Sequence, residues 1–296
     1  MPADNGYFKN AYSLLLAGAL KIFSDFSHSE YEPYFIEYDT EHRDFPRLRE
    51  KYDLPNVAGE GDDFSKAVNL MRWVSDNVAH NGMNPDIESV QCDAISILDY
   101  AFGKGKDFGL ICRHQAIVFT ECCLSLGLAA RTIHCLPYSP YDFESHVVSM
   151  VYLREQKKWG LFDSTNNAYF TDDDGVVLSP TEARRRLSVG KINVSDGLKG
   201  YDEDDYKHYM AKNLFYIKYW AKNTLGTDLA EGQLTYYLTP FGFDVKAREL
   251  GYCEYAIENS PENVKSGWVK QLEKFKLQSV NVVSERQFSS LPPDRN

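Results

Sequence analysis

The sequence predicts an α+β fold in which one helix packs against an antiparallel sheet, with helical extensions flanking this core. Three observations support the prediction. A helix-like run begins at Cys112, an apolar strand-like run begins at His146, and a second strand-like run ends at Asp163. A polar segment, 154–157, separates the two strand-like runs, so residues 146–163 are predicted to form an antiparallel hairpin.

The N-terminal section, residues 1–60, is predicted to be a helical extension that wraps the core. Its apolar run from Ala11 to Leu20 is too short to span a membrane. The charges before that run, Asp4 and Lys9, are poor for a signal peptide, so we interpret the run as a helix that packs on the domain. The lack of a clear signal peptide weakly favours a cytoplasmic protein, although secretion with removal of a signal stays open.

Residues 61–190 are predicted to form the core itself. Apolar side chains recur at helical spacing between Ala67 and Val78, after acidic capping residues. A second helix is expected at about 92–102, and the helix that starts at Cys112 is expected to end at Gly127. After Asp163 we expect a short strand, and then a helix whose start, at residues 179–182, has the pattern of a capping box.

Residues 191–296 are predicted to be an α+β extension that packs on the core. The segment from Asp202 to Lys222 is rich in aromatic residues and is predicted to be one long helix. Its aromatic stripe is typical of a packing seam, with a substrate-lining role as the alternative. Beyond it we expect a strand at 234–238, a helix from about 260, and a final strand at 279–283.

The hairpin gives the two polar strand residues a defined relationship. A tight turn centred on Arg154 and Glu155 would place His146 directly opposite Asp163, with Cβ atoms about 4.5–5.5 Å apart. A four-residue loop would instead place His146 opposite Thr165, which is one same-face neighbour away from Asp163. In both registers the histidine and the aspartate lie close together.

Cys112, His146 and Asp163 are the candidate catalytic residues, because their types and order suit thiol acyl-transfer chemistry. A thiol needs a base to become a nucleophile, and the base needs a third group that fixes its tautomer. A helix N-terminus at Cys112 would help to stabilise the thiolate. The alternative is structural, with Cys112 as a small buried residue, His146 as a strand histidine with its hydrogen bonds made, and Asp163 as a turn residue.

In these segments the sequence resembles the transglutaminase-like superfamily, whose core is papain-like. The resemblance runs through four stretches, which together lie within residues 64–190: 109–116, 126–133, 145–153 and 159–165. It implies a catalytic triad of Cys112, His146 and Asp163. Gly109 lies three residues before the cysteine rather than two, Val147 and Val148 follow the histidine, and Ser164 follows the aspartate, so the resemblance leaves the substrate open.

The resemblance implies a cysteine hydrolase or acyltransferase acting on a peptide, a protein or a small amide or acyl compound. Whether water or an amine accepts the acyl group stays open. The backbone amide of Cys112 is one expected oxyanion donor, and the segment from Trp73 to Asn81 offers candidates for the second. The rival hypothesis from another class is a non-catalytic protein- or peptide-binding module that retains the fold.

Composition excludes some other classes of protein. The formal net charge is −11 at pH 7, with no basic stripe to neutralise phosphates, so we expect no nucleic-acid partner. The six cysteines do not form a disulfide framework, and neither CxxC nor a histidine metal motif occurs. We therefore predict no metal and no cofactor. Oligomeric state is left undetermined.

Overall fold

The structure of the protein is a computed structural model that describes residues 11–84, 86–227 and 230–292. The first ten residues of the predicted N-terminal extension, including Asp4 and Lys9, lie outside the described residues. Residues 293–296 lie outside them as well. Within the described ranges, no helix is both long enough and apolar enough to cross a membrane.

Helices predominate up to Ser125, and strands and helices are interspersed in the remaining described residues. The α-helices are α1 (Ala11–Ile22), α2 (Phe45–Lys51), α3 (Leu54–Ala58), α4 (Asp63–Asn77), α5 (Ala94–Lys104), α6 (Cys112–Ser125), α7 (Pro180–Leu187), α8 (Glu203–Asn213), α9 (Val245–Asn259), α10 (Glu262–Leu277) and α11 (Glu285–Phe288). The strands are β1 (Glu37–Tyr38), β2 (Ala130–Leu136), β3 (His146–Leu153), β4 (Lys158–Asp163), β5 (Ala168–Thr171), β6 (Asn193–Val194), β7 (Tyr216–Trp220), β8 (Lys222–Asn223), β9 (Thr235–Leu238) and β10 (Asn281–Val282).

The main sheet has eight strands in the order β10-β9-β7-β2-β3-β4-β5-β6. Neighbouring strands are antiparallel except for β10 and β9, which are parallel. A separate parallel pair joins β1 to β8. The prediction of an α+β fold with an antiparallel sheet and a helix packed on it is therefore confirmed.

Helices cover both faces of this sheet, because the side chains of its strands alternate between two apolar cores. One core contains residues of α2–α6 together with Val151 and Phe162 of the sheet. The other contains residues of α1, α7 and α8 together with Met150 and Leu161, the strand neighbours of that pair. Successive strand residues point to opposite faces of a sheet. Where helices cover both faces, nearly every residue of a strand is buried, so the strand sequence is nearly continuously apolar.

Several predicted helix starts are present with their capping hydrogen bonds. The Asp62 side chain accepts a hydrogen bond from the Ser65 amide at the start of α4. Ser179 and Glu182 form the expected capping box at the start of α7. The helix after Cys112 ends where predicted, since its C-cap is Leu126 and the following Gly127 has a φ of 82°.

The predicted long helix from Asp202 to Lys222 is wrong. The helix α8 ends at Asn213, and the chain continues as strand β7. The segment from Tyr216 to Trp220 is dominated by aromatic and β-branched residues, which favour a pleated strand between β2 and β9 over a helix. The helix α9, which lies between β9 and α10 in the sequence, was not predicted.

The C-terminal section contributes β6, β7, β9 and β10 to the main sheet and thus continues the sheet of the core on both edges. Arg131 of β2 strengthens this junction. Its buried guanidinium lies 4.6–4.9 Å from the ring centres of Trp159, Tyr219 and Phe288, and it donates a hydrogen bond to the Phe288 carbonyl. The boundaries at residues 60 and 190 stay predictions.

Candidate active site

Cys112 is the first residue of α6 and is half-buried. The chain enters this helix beside the segment 79–81, with hydrogen bonds from Leu110 N to Ala79 O and from Asn81 N to Leu110 O. A Cβ at Gly109 would lie 2.7–2.8 Å from backbone atoms of that segment, so only glycine fits there. This close approach accounts for the glycine three residues before the cysteine.

His146 and Asp163 form a buried hydrogen-bonded pair. His146 Nε2 lies 2.7 Å from Asp163 Oδ2, and both residues are 1% exposed. When Asp163 is a carboxylate, it can only accept, so Nε2 carries the proton and donates it. In the neutral ring this leaves the lone pair on Nδ1.

The hairpin has the four-residue loop, so the tight-turn register is wrong. Ser149 pairs with Phe162 and Leu153 with Lys158, which puts Thr165 opposite His146 in the extrapolated register. The two strands need the whole segment 154–157 to reverse direction, and Lys157 takes a φ of 52° there. The diagonal neighbours His146 and Asp163 still meet through their side chains.

Nδ1 of His146 is buried. The Cys112 thiol lies beside the His146 ring and interacts with it. Burial lowers the pKa of His146, but Asp163 and, to a smaller extent, Cys112 outweigh it and raise that pKa to about 10. The imidazole is thus held ready to accept and keep a proton beside the sulfur.

Cys112 reaches His146 at the end of the sheet. Because side chains alternate along a strand, His146 and Asp163 lie on the sheet face opposite to α6. The helix α6 packs on the other face, where Ser149 Oγ donates a hydrogen bond to the Ala116 carbonyl. Cys112 lies one helical turn before Ala116 and so at the level where β3 begins. Because β3 starts at His146, no further strand residue separates the two side chains.

Asp163 receives three further hydrogen bonds. The amides of Thr165 and Asn166 donate to Oδ1 at 3.0 and 3.1 Å, and the hydroxyl of Tyr206 donates to Oδ2 at 3.0 Å. Tyr209, one turn further along α8, packs its ring against the edge of the His146 ring, with centroids 5.0 Å apart. Sequence reasoning placed both tyrosines on an aromatic stripe and missed their contacts with the pair.

A cavity of about 890 Å³ lies over these residues. Cys112 and His146 line it, together with Tyr209 and residues from four other parts of the chain. These include Ser75, His80, Gln115, Phe143, Thr165, Asn166, Lys199 and Tyr201. Ser75 and His80 come from the segment that the sequence indicated for the second oxyanion donor. Burial lowers the pKa of His80, and the His146 charge lowers it further, which favours the neutral ring.

Other cysteines and histidines differ from Cys112 and His146. Burial raises the pKa of Cys122, Cys123 and Cys135 far above the usual range of a thiol. Burial also lowers the pKa of His114 to about 4, and His114 is not among the residues that line the cavity. Within the described part of the chain, no cluster of histidine, cysteine and acidic residues could hold a metal ion.

Comparison with known proteins supports the predicted resemblance. Residues 51–164 match the family model of the transglutaminase-like superfamily, and Cys112, His146 and Asp163 all lie inside that segment. No curated protein matches the chain significantly. The transglutaminase-like resemblance predicted from the sequence is thereby confirmed for this segment, which supports a family of cysteine enzymes.

Among solved structures, the chain is similar to a candidate cysteine protease from Cytophaga hutchinsonii. The two share 15% identity, the match covers 62% of this chain and 57% of that chain, and the TM-score is 0.32. The chain therefore spans less than two thirds of that protein's length. At this score the likeness carries no argument about function, so the catalytic roles of the three residues stay predictions.

Proposed function

We propose that this protein is a cysteine-dependent acyl-transfer enzyme with Cys112, His146 and Asp163 as its catalytic triad. One observation carries the proposal: a half-buried thiol at a helix N-terminus adjoins a histidine whose other ring nitrogen is hydrogen-bonded to a buried carboxylate. A cysteine or a histidine with a purely structural role does not require this arrangement. An open cavity above the pair gives a substrate access to the sulfur.

The first half of the reaction forms a thioester. Cys112 transfers its proton to His146 Nδ1, and Sγ attacks the carbonyl carbon of an amide, ester or thioester. The carbonyl oxygen becomes an oxyanion, which the Cys112 amide at the start of α6 can stabilise because first-turn amides have no partner within the helix. When the carbon–heteroatom bond breaks, His146 gives its proton to the leaving group, and the acyl group stays on the sulfur.

The second half releases the acyl group. Water or an amine enters the cavity, His146 takes a proton from it, and the new nucleophile attacks the thioester carbon. Sγ leaves as the thiolate, which restores the starting pair. Asp163 keeps the proton on Nε2 throughout and stabilises the imidazolium, as the orienting member of a triad does. The substrate class we propose is a peptide, protein or small amide.

The rival proposal is a binding module that keeps the fold without catalysis. It would explain the cavity but not the buried His146–Asp163 pair, since burying two ionisable groups is costly unless they act together. A binding surface gains nothing from a thiol placed beside a buried histidine–carboxylate pair. The geometry of the pair therefore favours the enzyme.

Thiol labelling tests the proposal directly. We expect the rate at which iodoacetamide labels Cys112 to fall less than tenfold between pH 9 and pH 6. The labelling rate of a free thiol falls roughly 200-fold over this range, because its thiolate fraction falls. The site of labelling is identified by peptide mass mapping. In His146→Ala the rate at pH 6 should fall to that of a free thiol.

Cys92 offers a matched control, because it is also half-buried and burial raises its pKa. The Cys92→Ser variant should keep the labelling at pH 6, and Cys112→Ser should lose it together with turnover of p-nitrophenyl esters. Labelling of Cys112 with the steep pH dependence of a free thiol would contradict the proposed activation.

A further inference from the structure

Two stacked tyrosines lie beside His146 in the cavity. The rings of Tyr201 and Tyr209 have centroids 5.1 Å apart and an interplanar angle of 22°. The Tyr209 ring in turn contacts the His146 ring, at a centroid distance of 5.0 Å. Both tyrosines line the cavity together with Cys112 and His146. The exposed fraction rises along this series, from 1% at His146 to 39% at Tyr201. We call Tyr201 and Tyr209 the aromatic shelf.

The chain holds the aromatic shelf in place on both sides of Tyr201. Before Tyr201, the Lys199 amide donates a hydrogen bond to the Asn166 carbonyl at 2.8 Å. After Tyr201, the Asp202 side chain caps the start of α8, the helix that carries Tyr209. A surface that is already fixed in its binding arrangement loses little conformational entropy when a ligand binds to it.

The outer part of the aromatic shelf leaves ring surface in contact with water. Tyr201 is exposed although it lines a cavity, and Phe143, which lines the same cavity, is exposed as well. Ligand pockets are lined mainly by hydrophobic and aromatic side chains. A ligand that covers such a ring removes apolar area from water, and a contact between two rings adds to that gain. The shelf therefore suits a flat apolar group.

The charges next to the aromatic shelf favour an uncharged ligand. The Lys212 ammonium lies 5.9 Å from the centre of the Tyr209 ring. It forms ion pairs with Asp142, at 3.1 Å, and with Glu144. A charged ligand of either sign would meet a like charge in this group, which is unfavourable. A neutral aromatic ring avoids this repulsion and can stack on the exposed Tyr201 ring.

The aromatic shelf begins at the residue that protonates the leaving group. In the proposed reaction His146 gives its proton to the leaving group, which must therefore lie beside the His146 ring. Burial raises the pKa of Tyr209, and the charge of Cys112 raises it further, more than the charge of Asp163 does. This order agrees with a Tyr209 hydroxyl on the sulfur side of the imidazole. The shelf thus adjoins the part of the substrate that is released.

We propose that the aromatic shelf binds an uncharged aromatic ring in the leaving group of the substrate, through stacking on Tyr201. This inference rests on the proposed function and narrows its substrate class. The ring comes either from an aromatic side chain of a peptide or from a small arylalkyl group. Both sources present the same flat face to the shelf.

Two pairs of acetyl thioesters test the proposal. In the plain pair the leaving thiol is 2-phenylethanethiol or 2-cyclohexylethanethiol. In the peptide-like pair it is 2-mercapto-3-phenylpropanamide or 2-mercapto-3-cyclohexylpropanamide, which resemble amino-acid amides with sulfur in place of nitrogen. Loss of thioester absorbance gives kcat/KM, which covers the step in which the leaving group departs. Each value is divided by the rate of the same thioester with N-acetylcysteine, which removes intrinsic reactivity.

We expect the wild type to prefer the aromatic member of at least one pair by about 3–10-fold, because contacts between rings stabilise beyond the area that they bury. A preference confined to the peptide-like pair identifies a peptide as the source of the ring. A preference that is as large in the plain pair identifies a small arylalkyl group. Either result supports the proposal.

Variants of Tyr201 separate its ring from its hydroxyl. Tyr201→Leu should bring the aromatic preference close to one, because leucine is apolar but has no ring to stack on. Tyr201→Phe should keep the preference, because the ring remains. Tyr141→Leu is the matched control, since Tyr141 is also an exposed tyrosine but does not line the cavity, and it should keep the preference. A thermal melt of each variant checks folding.

Three results would overturn the aromatic shelf and leave the triad intact. They are equal normalised rates within both pairs, a preference that survives Tyr201→Leu, and a preference that Tyr201→Phe abolishes. No turnover of any thioester, together with labelling of Cys112 that has the steep pH dependence of a free thiol, would overturn the proposed function and the shelf with it.

Discussion

His146 and Asp163 are joined by a 2.7 Å hydrogen bond between Nε2 and Oδ2, and each is almost completely buried. Asp163 is enclosed by Tyr206, Thr165 and Asn166, all of which donate to it. Its carboxylate therefore has a structural role in addition to its proposed role as the group that orients the imidazole.

Asp163→Asn should lower kcat by roughly 10³–10⁴-fold, because the new amide would donate to Nε2 and leave the proton on Nδ1, the wrong tautomer. We also expect a lower melting temperature, since the buried amide cannot accept from Tyr206 as the carboxylate does. Ester turnover and a thermal melt measure the two effects. Normal turnover in a folded Asp163→Asn protein would exclude the orienting role.

Tyr206→Phe should reduce kcat about 3–30-fold with little change in KM, because Tyr206 acts on the reaction only through Asp163. Without the hydroxyl, Oδ2 loses one of its two donors, and the His146 ring is less firmly held. As a positioning residue, Tyr206 should also affect the pH profile of Cys112 labelling. Tyr237→Phe, at another buried tyrosine, is the control and should change neither quantity. An effect on KM alone would contradict the positioning role.

The candidate site was predictable because its signals are local in the sequence. The start of α6 at Cys112 and the two strands with His146 and Asp163 are each visible in a run of a few residues. The contacts of Tyr206 were not predictable, because they depend on how α8 docks on the sheet. No periodicity in the sequence specifies which residue of a distant helix meets Asp163.

The errors in the fold have similar physical causes. Residues 216–220 were predicted as helix because they follow a helical stretch without glycine or proline, yet pairing with β2 and β9 makes them a strand. The aromatic and β-branched side chains of this segment also fit a paired strand better than a helix. The hairpin register depended on loop length, which the polar segment 154–157 left ambiguous between a tight turn and a four-residue loop.

Glu121 in the middle of α6 should make stability depend on pH. Burial raises the pKa of its carboxyl to about 8, although the amides of Ala94 and Gly226 donate to it. Between pH 4.5 and 8 the folded protein therefore binds a proton that the unfolded chain releases. The free energy of unfolding should consequently fall as pH rises through this range.

Glu121→Gln removes this titration. Urea denaturation at pH 5 and pH 8 should show that the wild type loses stability relative to the variant, by on the order of a few kcal/mol. Glu60→Gln, at an exposed position, serves as the control and should follow the wild type at both values. If the free energy of unfolding changes equally with pH in the wild type and in Glu121→Gln, the buried carboxyl keeps its ordinary pKa.

His146 and His114, the histidine nearest to Cys112 in the sequence, should differ in their effect on catalysis. His114 is close in sequence, but two residues along a helix turn it by about 200°, and it is buried away from the cavity with both ring nitrogens unpaired. His146→Ala should lower kcat by at least 10³-fold, because it removes the proposed base, whereas His114→Ala should change kcat less than threefold. Ester turnover is measured alongside a thermal melt, so that lost folding is not mistaken for lost catalysis. Equal losses of kcat in two folded variants would show that His146 is not the base.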